Sequence, residues 1–195
     1  MSVHPIEAES YRILAGRVDL SGLAPGPRAV VARVIHASAD LEYAETMVVG
    51  EAAVDAGVAA LRAGAPIVAD VAMVAAGVTG RRAECCLGEV GPGPVEPTRS
   101  AAAMRVAAGR HPTGAVVVVG CAPTALVEAV RLALDGTWAP AVVVGLPVGF
   151  VGAAEAKRLV RESGLPSITN VGEKGGSAVA AAVVNALGRL ADGDG

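Results

Sequence analysis

The chain has 195 residues, enough for one domain with a sizeable core, and 53% of them are hydrophobic while only 2% are aromatic. A formal net charge of −3 gives no general reason to expect nucleic acid or an anionic membrane as partner. Cys85 and Cys86 are adjacent and Cys121 is distant, which is neither metal spacing nor a disulfide framework; with no charged-then-apolar leader and no apolar run of membrane-spanning length, a reduced, soluble, cytoplasmic domain is expected.

Ile6 to Leu14 reads as a short helix, with Pro5 at its start and Gly16 at its end. A linker rich in Gly and Pro follows, from Leu20 to Pro27. Val30, Val31, Val34 and Ile35 then recur at helical spacing, while Ala29, Arg33, His36 and Asp40 fall on another side. His36 therefore belongs in the last turn of an amphipathic helix. A helix C-terminus favours the imidazolium and Arg33 opposes it, so the spacing predicts a pKa poised near neutrality. Met47 to Val49 suits a short strand, Ala52 to Ala63 a helix, and Pro66 to Asp70 a buried strand. A short helix from Met73 to Gly77 and a strand from Ala83 to Leu87 follow. Gly88 to Pro97 holds three prolines and three glycines and reads as an irregular surface loop.

Beyond that loop the alternation is plain. Thr98 is a good N-cap for a helix from Arg99 to Gly109. Val116 to Val119 is a β-branched run closed by Gly120, and Pro123 opens a helix to Leu134. Val142 to Val144 repeats the strand and Ala153 to Ser163 the helix. Ser167 to Thr169 is a last strand, Ser177 to Leu190 a last helix, and 191–195 a disordered tail. Continuous apolar strands alternating with helices indicate an α/β fold. One domain over residues 1–195 is expected, with a mainly parallel sheet covered by helices on both faces, a Rossmann-like three-layer sandwich.

Ligands of such sheets bind beyond the carboxyl ends of the strands. Three turns there are built of small residues: Gly120 to Thr124, Gly145 to Gly152, and Gly172 to Ser177. Each is compatible with ordinary turn chemistry or with close approach of a ligand. None spells a dinucleotide or P-loop fingerprint, which counts against a nucleotide site. Arg99, at the positive end of its helix beside Ser100, suits a carboxylate or simply faces solvent. Asp70 ends a strand, where it is either a helix cap or a functional carboxylate. Ser10 has no His or Lys at triad spacing and is more plausible as a hydrogen-bonding group than as a nucleophile.

Taken together, several stretches resemble the precorrin-8X methylmutase (precorrin isomerase) family of cobalamin biosynthesis. They include Ile6-Glu7 with Ser10 and Tyr11, Arg33-Val-Ile-His-Ala37, and Ala60-Leu-Arg-Ala-Gly-Ala-Pro-Ile67. Further matches are Thr98-Arg-Ser-Ala-Ala102, Ala122-Pro-Thr-Ala-Leu126, Pro147-Val-Gly-Phe-Val151 and Gly175-Gly-Ser177. The chain departs from that pattern at Cys121, where the family carries Asn, and at Glu9 and Glu173, which stand where basic residues are common. The resemblance implies an isomerase, with no cofactor and no metal, that moves a methyl group from C-11 to C-12 of precorrin-8X or cobalt-precorrin-8. It implies His36 as general acid and a homodimer, with Ser10 against the substrate. Tyr11, Arg99, Ser100, Thr124, Lys174 and Ser177 are the further candidates for substrate binding. A non-catalytic tetrapyrrole carrier would keep the glycine turns and Arg99 but would not need His36.

Overall fold

The computed structural model describes residues 4–193. The helices and strands run, in chain order, α1 (Pro5–Ala15), α2 (Pro25–Ser38), α3 (Tyr43–Thr46), β1 (Met47–Val49), α4 (Glu51–Arg62), β2 (Ile67–Ala69), α5 (Ala72–Gly77) and β3 (Ala83–Glu84). They continue with α6 (Arg99–Arg110), β4 (Val116–Val119), α7 (Pro123–Leu134), β5 (Val142–Gly145), α8 (Ala153–Glu162), β6 (Ser167–Asn170) and α9 (Ser177–Asp192). Six strands form one sheet in the order β1-β6-β5-β4-β2-β3. The pairs from β6 to β3 are parallel, and β1 lies antiparallel at the edge, with Met47 opposite Asn170. The expected α/β sandwich is therefore present, with one edge strand reversed.

Alternation along the strands divides the core in two. Ile67, Val116, Val118, Val142 and Val144 face a layer built from α2, α4 and α9. Val68, Val117, Val119 and Val143 face α6, α7 and α8. Val30, Val31, Val34 and Ile35 are at most 2% exposed, which confirms the buried side of the His36 helix. Gly120 is demanded by packing: a Cβ there would lie 2.8 Å from Val74 Cγ2 and 3.0 Å from Ser177 Cα. The start of α9 thus rests directly on the end of β4.

Some boundaries differ from expectation. The linker ends earlier, because Pro25 already occupies the first turn of α2. The strand expected from Ala83 to Leu87 stops at Glu84, and a 3₁₀ turn takes Cys86–Glu89. Helix α9 continues to Asp192 and is closed by left-handed Gly193. Residues 191 and 192 are therefore helical rather than part of a tail, and 194–195 lie outside the described residues. No helix among the described residues is long and apolar enough to cross a membrane.

Candidate active site

Helix α1 packs on α2, and the contact brings together three of the residues singled out from the sequence. Ser10 Oγ lies 2.8 Å from His36 Nδ1. The Tyr11 ring stacks on the imidazole, with centroids 4.9 Å apart and planes 15° from parallel. His36 occupies the last turn of α2, as its spacing predicts. Its Nδ1 faces Ser10, so Nε2 is the nitrogen left for a ligand.

Charge around this trio is organised by Glu7. Its Oε1 accepts from Arg33 Nη1 at 2.5 Å and from Arg189 Nη2 at 2.8 Å. Burial alone would raise the Glu7 pKa, but Arg189 and Arg33 outweigh it and hold the carboxyl below its ordinary value. Arg33 Nε is buried and has no hydrogen-bond partner. The His36 imidazole is held below its ordinary pKa, first by burial and then by Arg33, with Arg189 adding and Glu7 opposing. The sequence predicts a value poised near neutrality. The structure moves it lower because Ser10 and Tyr11 of α1 lie against the ring, a burial that one helix read alone does not show.

Tyr11 also walls an open cavity of about 780 Å³ whose floor is Arg28, Ala29 and Ala32 of α2, with Leu14, Val18 and Leu190 at its sides. A smaller recess of about 170 Å³ continues around Tyr11 to Arg33 and Arg189. His36 is not itself among the lining residues. It lies one turn beyond Ala32 on the same helix, behind the Tyr11 ring.

The remaining candidates gather at the carboxyl edge of the sheet. Asp70, fully buried, accepts from the backbone N–H of Gly120 at 3.1 Å, Cys121 at 2.9 Å and Ala122 at 2.8 Å. It is a cap for the turn into α7, which decides between its two readings. Burial pushes its carboxyl above the usual range against the pull of these three donors. Thr124 Oγ1 lies 2.8 Å from Thr98 Oγ1, which itself accepts from the Ala101 N–H. Arg99 donates to the carbonyls of Leu87 and Val90, and Ser100 stands beside it in the first turn of α6. Ser177 opens α9, which has no side-chain cap. Lys174 Nζ is engaged by Asp40 Oδ2 at 2.7 Å and Glu42 Oε2 at 2.8 Å, so its charge is matched within the chain. The departures from the family pattern are also placed: Cys121 is exposed, Glu9 pairs with Arg12, and the Glu173 carbonyl accepts from the Gly149 N–H. Among the described residues no group of acidic, His or Cys side chains is arranged to hold a metal ion.

The precorrin-8X methylmutase family profile matches residues 5–190. The chain belongs to this family. It is 38% identical to the cobalt-precorrin-8 methylmutase of Priestia megaterium, with 98% of this chain and 91% of that one covered. It is also 38% identical to the precorrin-8X methylmutase of a Sinorhizobium species, with 94% and 93% covered. The solved structure of the precorrin-8X methylmutase from Thermus thermophilus superposes with a TM-score of 0.86 at 39% identity, covering 97% of both chains. The chain is an isomerase of cobalamin biosynthesis, as its membership of the precorrin-8X methylmutase family establishes.

Sequence reasoning missed Glu7, Arg189 and Lys157 as parts of the site's surroundings. The first two meet only because α1 and α9 both pack on α2, and no spacing along the chain reports it. Lys157 did leave a signal. It is one of two lysines and falls on the apolar row of α8 with Ala153, Ala156 and Val160, and it is fully buried.

Proposed function

We propose that the chain converts precorrin-8X, or its cobalt-containing equivalent, by moving a methyl group from C-11 to C-12, with His36 as the general acid. The Ser10–His36–Tyr11 constellation carries this reading. In the imidazolium, the Nδ1 proton is donated to Ser10 Oγ and the Nε2 proton is free for the macrocycle. Protonating the conjugated ring makes it electron-deficient and lowers the barrier to the methyl shift; the proton returns to Nε2 afterwards, so nothing is consumed. A lowered imidazole pKa makes the proton a better one to give, at the cost of a smaller protonated fraction at neutral pH. A positioned donor contributes about 10² to 10⁴-fold, and holding the macrocycle in its reactive conformation supplies the rest.

The ring lies against His36 Nε2 at the carboxyl end of α2, the end that the Lys174–Asp40 ion pair joins to the loop before Ser177, while the cavity of about 780 Å³ runs along the amino-terminal half of α2 beyond Tyr11. Arg33, one turn before His36 on α2, sets a guanidinium beside the acid, where it is paired with Glu7. Arg99, Ser100, Thr124 and Ser177 are retained as substrate contacts from the carboxyl edge. Lys174, already matched by Asp40 and Glu42, contributes through its backbone and its ion pairs. The cavity along α1 and α2 is open and mostly aliphatic, and α1 also exposes Ile6 at 74%. A second copy closing over α1 and α2 supplies the cover that a macrocycle needs, hence a homodimer. The free cysteines suit a reducing cytoplasm.

Incubating the purified protein with precorrin-8X and following the absorption spectrum tests this reading. Conversion to the product chromophore is expected. Binding without a change of chromophore would make the protein a carrier.

A further inference from the structure

Lys157 is as buried as the apolar residues of its own row on α8, with 0% of its surface exposed. A sealed ammonium is costly to a fold, and a hydrophobic residue of similar size would fill the same row more cheaply. Burial, reinforced by Arg161 and opposed by Glu173, pushes its pKa down to about 8. Both of its acceptors lie at the end of β6 and in the loop beyond. Nζ donates to Asn170 Oδ1 at 3.0 Å and to the Lys174 carbonyl at 2.7 Å. Asn170 Nδ2 donates to the same carbonyl at 2.9 Å.

The Lys174 backbone is therefore held from inside the molecule, while its side chain reaches outward to Asp40 and Glu42. Those two residues form the turn that ends α2, where the Asp40 N–H donates to Ser38 Oγ and the Glu42 N–H to Asp40 Oδ1. The same loop is braced sideways: Gly149 N–H donates to the Glu173 carbonyl and Gly176 N–H to the Leu146 carbonyl. Any side chain at Gly175 would collide with the Leu146 carbonyl.

We propose that Lys157 is a positioning residue for the isomerisation, fixing the end of α2, and with it His36, through the Lys174 backbone and the ion pairs of Lys174. The assignment builds on His36 as the general acid. Misplacing a reacting group by a fraction of an ångström is enough to slow a reaction severalfold without unfolding the protein.

The test is a double-mutant cycle with Lys157→Met and Lys174→Met, read by turnover of precorrin-8X and by hydrogen exchange at the amides of Ala39, Asp40 and Glu42. Each single variant should lower kcat by roughly tenfold while leaving KM within about threefold. The double variant should be no worse than the poorer single, because both act through one connection. The amides should exchange faster in both variants. Wild-type kcat in Lys157→Met, or losses that multiply in the double variant, would overturn the proposal. Should Lys157→Met fail to fold, the exposed Lys174→Met decides alone, and unchanged kcat overturns it. Should His36→Asn turn over at the wild-type rate, the acid assignment fails separately. Hydrogen exchange then decides the positioning role, and unchanged exchange in Lys157→Met refutes it.

Discussion

Replacing Asp70 with Asn removes one charge and one acceptor from the node that shapes the turn carrying Cys121 and Thr124. The carboxylate satisfies the N–H groups of Gly120, Cys121 and Ala122 with its two oxygens. An Asn amide can keep the two bonds made by Oδ2, but its NH₂ group must then face the Gly120 N–H. Gly120 is fully buried, so water cannot substitute for the lost acceptor. A buried donor left unpaired costs about 1–3 kcal/mol, so the variant should lose about 2 kcal/mol. For a domain of this size that corresponds to a fall in Tm of roughly 4–8 °C. Asp70→Ala strands all three donors; Cys121 and Ala122 are less buried and can recruit water, so its cost should be about 4 kcal/mol. Thermal unfolding followed by circular dichroism, with urea titration as a second measure, reads both. An Asp70→Asn variant melting within about 1 °C of wild type would refute the claim that this carboxylate holds the turn.

The His36 imidazole is lowered partly by Arg33, so Arg33→Gln should move its titration upward, as followed by NMR; an unchanged or lower value would contradict the electrostatic account. Because the general acid acts protonated, kcat/KM should fall as pH rises through a value below the ordinary imidazole pKa of ~6.5, and a profile flat across that range would count against it. Lys157 has a folded pKa of about 8, below its unfolded value of ~10.4, so the folded state binds fewer protons in that window and stability should rise with pH there. Urea titrations should show this rise in wild type and its loss in Lys157→Met; parallel pH dependences would contradict it. Sedimentation equilibrium at micromolar concentration should report a dimer, and a monomer with full activity would rule out a shared groove.

The sandwich was legible in the sequence because its signals are local. Val116 to Val119 and Val142 to Val144 are continuous β-branched runs, and both proved to be central strands buried on both faces. Pro123 and Thr98 start the helices they mark. The reversed direction of β1 was not legible, since three apolar residues carry no sign of which way they run. Its direction follows from pairing with β6, a contact far along the chain. Helix α3 escaped for a related reason: it is four residues long, and its one buried side chain, Tyr43, is held by tertiary packing. The site divides in the same way. The place of His36 in the last turn of α2 could be read from spacing and the resemblance put Ser10 and Tyr11 near the substrate, but their direct contact with the imidazole needed the packing of α1 on α2. The lowered pKa needed the packed structure, because burial by α1 outweighs what helix position alone predicts.

The most direct test of the mechanism is the rate at which His36→Asn converts bound precorrin-8X in a single turnover. The variant should keep the wild-type melting temperature and still bind the product, while conversion slows by about 10² to 10⁴-fold. Conversion within about threefold of wild type would show that the proton comes from elsewhere and that His36 is not the acid.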